Sequence, residues 1–372
     1  MEKYLGEKIK KLGFGLMRLP MKGKEVDIEH TKKMVDKFID AGFTYFDTAY
    51  VYIDGKSESI TKEVLVDRYP RESFQLATKM TIWVTEQKED VERIFNEQLE
   101  RTGAGYFDFY LLHALDREKL EKLENFDVWN FVKQKKEEGK IKHYGFSFHD
   151  DAETLDKILT DHPDVEFVQL PINYIDWESK DVQSRKCYEV CRKHNKPVII
   201  MEPVKGGSLA TLAPEASKVF KEANPDMSVA SWAIRFAASL DGVITVLSGM
   251  SSEEQANDNI SYMKDFKPLS DDERNTIDNV VEIMKSIPTV PCTGCKYCVD
   301  GCPMSINIPK IFKVLNHNTV YQNTETCKAR YNEIVKDSGK ASDCIECRRC
   351  ETVCPQHIEI PRFLSDAQEI FE

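Results

Sequence analysis

Apolar, β-rich runs recur at fairly even intervals along the first two thirds of the chain. They are Leu12–Leu19, Phe43–Thr48, Phe74–Lys79, Phe107–His113, His143–Phe148, Val165–Leu170, Pro197–Glu202 and Gly242–Ser248. Between most of them the apolar positions switch to helical spacing, as in Ile28, Met34, Val35, Phe38 and Ile39, or Val91, Ile94, Phe95 and Leu99. Strand and helix alternating eight times predict an α/β protein with parallel strands wrapped by helices, and closure into a (β/α)8 TIM barrel is the usual solution. The alternative is an open doubly wound sheet. No Gly-x-Gly-x-x-Gly stands between the first strand and its helix, so the dinucleotide-binding version of that sheet lacks its fingerprint.

The pattern changes after residue 268. Lys267-Pro268-Leu269-Ser270 followed by Asp271-Asp272-Glu273 predicts a helix start, with Ser270 as N-cap and Glu273 at the capping-box position, and Ile287-Pro288 stops it. The expected organisation is a barrel over 1–268, a helical linker over 269–287 and a small, mainly helical domain over 288–372. Cysteine usage supports the division, because nine of the eleven cysteines fall in the last segment and only Cys187 and Cys191 precede it. With 41% hydrophobic and 31% charged residues in 372, the composition is globular. A net charge of -12 is opposite to what a nucleic-acid partner requires. No stretch approaches the ~18 apolar residues of a membrane span, and Met1-Glu2-Lys3-Tyr4 begins no apolar leader, so a cytoplasmic location is expected. In that reducing compartment, clustered thiols read as metal ligands rather than disulfides.

Polar residues at the C-terminal ends of barrel strands carry the chemistry of such folds. Asp47 ends the second run in Phe46-Asp47-Thr48-Ala49, Tyr52 follows in the loop, Lys79 ends the third run and His113 the fourth. A tyrosine hydroxyl becomes a useful acid near neutral pH when a cation stabilises its phenolate. Lys79 supplies that cation, Asp47 pairs with and holds Lys79, and His113 hydrogen-bonds the substrate oxygen or Tyr52. Each residue alone has an ordinary structural reading as a cap, a loop aromatic, a solvated end or a core histidine. All four in this order are a much more specific signal.

These residues bring the chain into resemblance with the aldo/keto reductase family over about residues 1–265. The matching stretches are Leu12-Gly13-Phe14-Gly15-Leu16-Met17-Arg18, Phe46-Asp47-Thr48-Ala49-x-x-Tyr52, Thr78-Lys79, Leu111-Leu112-His113, Gly139-Lys140-Ile141, Gly145-Phe146-Ser147 and Val168-Gln169. The resemblance implies a TIM barrel that reduces carbonyls of small molecules with a nicotinamide hydride, with Tyr52 as proton donor. It also implies that Ser147 and Gln169 hold the carboxamide, and that Gly15, Met17, Met201, Gly249 and Asn259 complete the NAD(P) contacts. The chain departs from the family pattern in three places. It has Ser147-Phe148-His149 where Ser-Asn is usual, and Met201-Glu202-Pro203-Val204 where the family often has Tyr-Ser-Pro-Leu. Gly249 and Gln255 stand where Lys or Arg precedes the Glu-Asn pair. A 2′-phosphate needs such a cation, so NAD and NADP both stay open.

Two runs in the C-terminal segment share one spacing: Cys292-x2-Cys295-x2-Cys298-x3-Cys302-Pro303 and Cys344-x2-Cys347-x2-Cys350-x3-Cys354-Pro355. This is the bacterial ferredoxin pattern for two 4Fe-4S clusters, in which the fourth cysteine of each run ligates the other cluster. The predicted ligand sets are Cys292, Cys295, Cys298 and Cys354 for one cluster, and Cys344, Cys347, Cys350 and Cys302 for the other. Zinc explains paired Cys-x2-Cys but not a third and fourth cysteine followed by proline in both runs. Cys327 reads as a buried thiol, and Cys187 with Cys191 as the interior face of a helix.

Clusters move single electrons and a nicotinamide moves a hydride, so three functions remain in view. The favoured one is an oxidoreductase that reduces a carbonyl or related group at Tyr52, with the clusters exchanging electrons with that site or with a redox partner. The second is a flavin-holding or ferredoxin-dependent reductase without nicotinamide. The third is an electron-transfer protein whose barrel is a docking scaffold.

Overall fold

The computed structural model describes residues 4–6 and 8–372; Met1, Glu2 and Lys3, the start of the stretch that begins no apolar leader, lie outside the described residues. The chain forms two compact units, Met1–Gly206 with Ser231–Arg274, and Gly207–Ala230 with Asn275–Glu372.

In the first unit the eight predicted runs are the eight strands of a closed barrel. They are β1 (Leu12–Gly15), β2 (Tyr45–Asp47), β3 (Gln75–Met80), β4 (Phe107–Leu115), β5 (Ile141–Phe148), β6 (Phe167–Pro171), β7 (Val198–Met201) and β8 (Val243–Gly249). Every strand pairs in parallel with its sequence neighbour, and β1 closes on β8 through Leu12↔Val246 and Gly15↔Gly249. Helices follow the strands because local signals start and stop them. Asp27, Asp116, Asp151 and Ser252 each accept a backbone N–H two or three residues into their helix, satisfying donors that have no partner in the first turn. Gly103, in the left-handed region at φ 63°, ends the helix Glu89–Thr102. The capping box read at Ser270 is present, with Ser270 N–H donating to Glu273 at 2.9 Å and Glu273 N–H donating to Ser270 Oγ at 3.2 Å.

Side chains alternate across a strand, so one parity of each strand faces the barrel axis. Tyr45, Ala77, Phe109, Leu111, Phe167, Ile199 and Leu247 form that axial core. On β5 the corresponding position is Gly145, where a β-carbon would sit 2.3 Å from the carbonyl oxygen of Phe167, so the close approach of β5 to β6 requires glycine.

The second unit is helical. Helices Ile308–Tyr321, Thr324–Ile334 and Ile360–Phe371 pack on one another around Ile311, Phe312, Leu315, Tyr331, Leu364 and Phe371. The segment Gly207–Ala230, which leaves β7, belongs to this unit: Thr211 Oγ1 donates to the carbonyl of Tyr321 at 2.9 Å, and Ser208 Oγ lies 3.0 Å from His317 Nε2. Cys327 is a buried thiol 3.5 Å from His317 Nδ1, and Cys187 and Cys191 are buried on the helix Ser184–Lys193. No helix of the described residues is long and apolar enough to cross a membrane.

Replacing Gly145 by alanine forces the β5–β6 backbones apart. Gly145→Ala is expected to lower stability by ~1–3 kcal/mol, read as a fall in the thermal midpoint; an unchanged midpoint contradicts the close packing described.

Candidate functional site

The axial parity continues to the C-terminal rim, and there it changes from apolar to polar. Two residues beyond Tyr45, Ala77, Leu111, Phe167, Ile199 and Leu247 come Asp47, Lys79, His113, Gln169, Met201 and Gly249, while Gly15 and Ser147 hold the same positions on β1 and β5. Eight of the residues singled out in the sequence thus sit one per strand around the mouth. Tyr52 joins them from the loop after β2, with its ring 5.8 Å from the His113 ring and 4.8 Å from Lys79 Nζ.

Lys79 is fully buried and donates to Asp47 Oδ1 at 2.6 Å and to the Thr48 carbonyl at 2.8 Å. Burial raises the Asp47 carboxyl, with Lys79 drawing it back. Burial alone lowers the Lys79 ammonium, but Asp47 and then Tyr52 reverse this and leave it above its ordinary value. Burial is also the largest influence on Tyr52 and leaves its phenol above the usual value, although Lys79 and Arg18 pull it down. The cation expected from sequence is therefore present, and a larger opposing effect keeps the hydroxyl protonated. His113 is lowered to about 2, chiefly by burial and then by Lys79, so its ring is neutral across the working range. Its Nδ1 lies 3.1 Å from Thr81 Oγ1, which leaves Nε2 for a ligand. An acid, a cation beside it and a neutral imidazole can together protonate and orient a carbonyl oxygen.

Beside them, Ser147 Oγ accepts from Ala114 N–H at 2.7 Å, a contact made possible by the left-handed backbone of Ala114, φ 52°, at the irregular end of β4. Gln169 donates to Met201 Sδ at 3.4 Å, and its Oε1 is buried without a protein partner. A buried amide oxygen aimed into a rim site is where a carboxamide N–H2 can be received. Asn259 stands apart: its Nδ2 donates to Ser248 Oγ at 2.9 Å and its Oδ1 accepts from Tyr262 at 2.5 Å, so both ends of the amide serve the fold at the end of β8. Met17 is 53% exposed just beyond β1.

Two rim residues escaped the sequence reading. Arg18 runs past Gly249, and its guanidinium lies 3.5 Å from where a Gly206 β-carbon would stand. Its charge acts on Tyr52, and it has no ion pair among the described residues. Trp83 is 44% exposed with its ring 4.8 Å from that of His113, giving the mouth an aromatic wall. A cation directly after the first strand and an aromatic four positions after Lys79 are signals that could have found them.

In the second unit, Cys292, Cys295, Cys298 and Cys354 line one cavity of about 330 Å³, and Cys302, Cys344, Cys347 and Cys350 line another of about 330 Å³. The runs share backbone conformation position for position, with left-handed residues at Gly294 and Glu346, Lys296 and Arg348, and Ser305 and His357. Such reversals curl the chain into concave, anion-holding loops. Four soft thiols around each concavity, three from one run and one from the other, suit a cubane of iron and sulfide.

Fold and site together define a TIM-barrel oxidoreductase with an appended iron-sulfur domain. The chain belongs to the aldo/keto reductase family, whose pattern matches residues 11–282, and a 4Fe-4S dicluster domain matches residues 291–359. It is 25% identical over 277 residues to the 9,11-endoperoxide prostaglandin H2 reductase of Trypanosoma cruzi, covering 72% of this chain and 89% of that one. It is 24% identical over 286 residues to the oxidoreductase YqkF of Bacillus subtilis, covering 68% and 86%. Among solved structures it is similar to an aldo-keto reductase from Klebsiella pneumoniae in complex with NADPH, with TM-score 0.60, 22% identity and coverage of 73% and 91%. A holo aldo-keto reductase from Bacillus halodurans aligns with TM-score 0.59, 22% identity and coverage of 74% and 93%.

The depressed His113 has a stability signature. Unfolded histidine takes a proton below about 6.5 while the folded ring stays neutral, so stability is lost as pH falls through the unfolded value. Between pH 7 and 5 this costs about 2 kcal/mol, and His113→Gln is expected to show a shallower fall in denaturation midpoint by that amount. Equal slopes for the two proteins contradict a neutral, buried ring.

Proposed function

We propose that the protein reduces the carbonyl or a related group of a small molecule at the barrel mouth, with a nicotinamide nucleotide as co-substrate and two 4Fe-4S clusters exchanging electrons with the site or with a redox partner. The observation that carries this is the protonated Tyr52 held beside the buried Lys79–Asp47 pair and the neutral His113. The nucleotide, when bound, supplies a hydride. Tyr52 gives the proton to the carbonyl oxygen, Lys79 stabilises the phenolate left behind, and Asp47 keeps Lys79 charged and in place. His113 Nε2 hydrogen-bonds the same oxygen and fixes which way the carbonyl lies. Trp83 covers the apolar side of the substrate and excludes water.

Ser147 and the unpartnered Gln169 Oε1 would hold the carboxamide, and Met201 would offer the ring a polarizable contact in place of the usual tyrosine. Gly15 and Gly249 leave room along the rim, the exposed Met17 lies just beyond Gly15, and Asn259 acts by holding Ser248. Arg18, beside Gly206 and Gly249, is the cation for the nucleotide's phosphates, in the region after strands seven and eight where barrels of this kind commonly hold phosphate. A 2′-phosphate does not fit equally well. Lys37 is already paired with Glu253 at 2.7 Å, Ser252 caps the helix that Glu253 opens, and Glu254 adds negative charge to its first turn. The reading is therefore NAD rather than NADP. No observation supports the flavin alternative.

Tyr52→Phe is expected to lower kcat for carbonyl reduction by about 10²–10⁴ with nucleotide binding retained in a fluorescence titration; unchanged turnover removes Tyr52 from the chemistry. Anaerobically purified protein is expected to hold about eight irons and eight sulfides per chain. In the same preparation kcat/KM with NADH should exceed that with NADPH, and the reverse order contradicts the role given to Glu253 and Glu254.

A further inference from the structure

The repeat that builds the two cysteine cavities is asymmetric in charge and exposure. From this we infer that the cluster held by Cys302, Cys344, Cys347 and Cys350 has the higher reduction potential, so that an electron shared between the clusters rests there. The inference depends on the two-cluster reading above. Position for position, Lys296 corresponds to Arg348 and Tyr297 to Arg349, and all four line their respective cavities. The residues lining one cavity therefore include a single cationic residue and a tyrosine, and those lining the other include two arginines. Neither arginine forms an ion pair among the described residues. The acids of the same loops, Asp300 in the first run and Glu346 and Glu351 in the second, are not among the residues lining either cavity.

Reduction adds one negative charge to a cubane. A cation close to the cluster stabilises that extra charge and raises the potential, and the effect is strongest where the intervening medium is poorly polarizable. Exposure works in the same direction. Cys298 of the first set is buried at 7%, whereas Cys350, its counterpart, is half-buried. At this one ligand position the second site is the more open to water, which favours the more highly charged reduced form, while the other three pairs match in exposure. Arg349 is the residue that most separates the two sites, because Arg348 and Lys296 match in charge while Arg349 faces a tyrosine in the repeat.

The test is a potentiometric titration of the anaerobic holoprotein followed by EPR, with iron counted beforehand. Cys347→Ser, which alters the ligand set of the second cluster, identifies its signal. The wild type is expected to show two one-electron waves with the second cluster reduced first. Arg349→Tyr is expected to lower the upper wave so that its reduced-to-oxidised ratio at the wild-type midpoint falls about tenfold, equivalent to about 59 mV for one electron, with the lower wave in place. Tyr297→Arg is expected to raise the lower wave. Should Arg349→Tyr lose iron, Arg349→Lys and Arg349→Gln separate charge from packing, since only the glutamine variant is expected to shift the wave. An unmoved upper wave in the charge-removing variants, or a first cluster that reduces before the second, overturns the inference. A wild-type count far below eight irons overturns the cluster reading itself.

Discussion

The Lys79–Asp47 pair is the interaction on which the rest of the barrel mouth depends. Removing an ammonium and a carboxylate from water costs several kcal/mol per ion, and the mutual attraction repays this only when the surroundings are well arranged. Here Lys79 has no solvent exposure, and Asp47 Oδ2 has no hydrogen-bond partner. A pair of leucines would serve stability better, so the charges point to chemistry. The fold spends a second buried network on holding them. Glu58 accepts from Thr78 Oγ1 at 2.7 Å and from Gln98 Nε2 at 2.8 Å, and the same Gln98 nitrogen donates to the Lys79 carbonyl at 3.0 Å. Tyr110 closes the set by donating to Gln98 Oε1 at 2.7 Å. The end of β3 is thereby tied to β4 and to the helix that follows the Tyr52 loop.

Much of this was legible in the chain. The eight strands showed as apolar runs because a parallel barrel buries both faces of each strand, and the rim residues showed as the one polar position that breaks the apolar parity. Asp47, Lys79 and His113 carry that signal by themselves. What failed to show depends on closure. Arg18 is an ordinary surface cation until β1 meets β8 and brings it beside Gly249. Trp83 is one more apolar loop residue until it stands beside His113. Asn259 occupied a promising place in the sequence, yet the structure spends its amide on Ser248 and Tyr262, and no local pattern announces that choice. The direction of the Tyr52 shift was hidden for a similar reason: Lys79 was visible as a cation, whereas the burial that outweighs it comes from segments distant in sequence.

The C-terminal unit was legible for a different reason. Ligand spacing is a local property, and three thiols within seven residues followed by a fourth and a proline define half a site without knowledge of the fold. The exchange of the fourth cysteine between runs is a long-range feature, and the two cavities, each lined by three cysteines of one run and one of the other, have that arrangement. That the segment leaving β7 belongs with this unit had no local signature. The strand that ends at Met201 leads into the segment whose Ser208 and Thr211 hydrogen-bond the helix Ile308–Tyr321.

The central claim is that the barrel itself carries out a two-electron reduction, with Tyr52 protonating the oxygen while a hydride reaches the carbon. The most direct test is to follow isotope in the anaerobic holoprotein, using a nicotinamide nucleotide deuterated at C4 and a small aldehyde, and to locate the label in the alcohol by NMR. The account predicts deuterium on the former carbonyl carbon, from one face of the nucleotide only. Alcohol formed without the label, its hydrogen drawn from solvent, contradicts the account and assigns the reduction to electrons from the clusters.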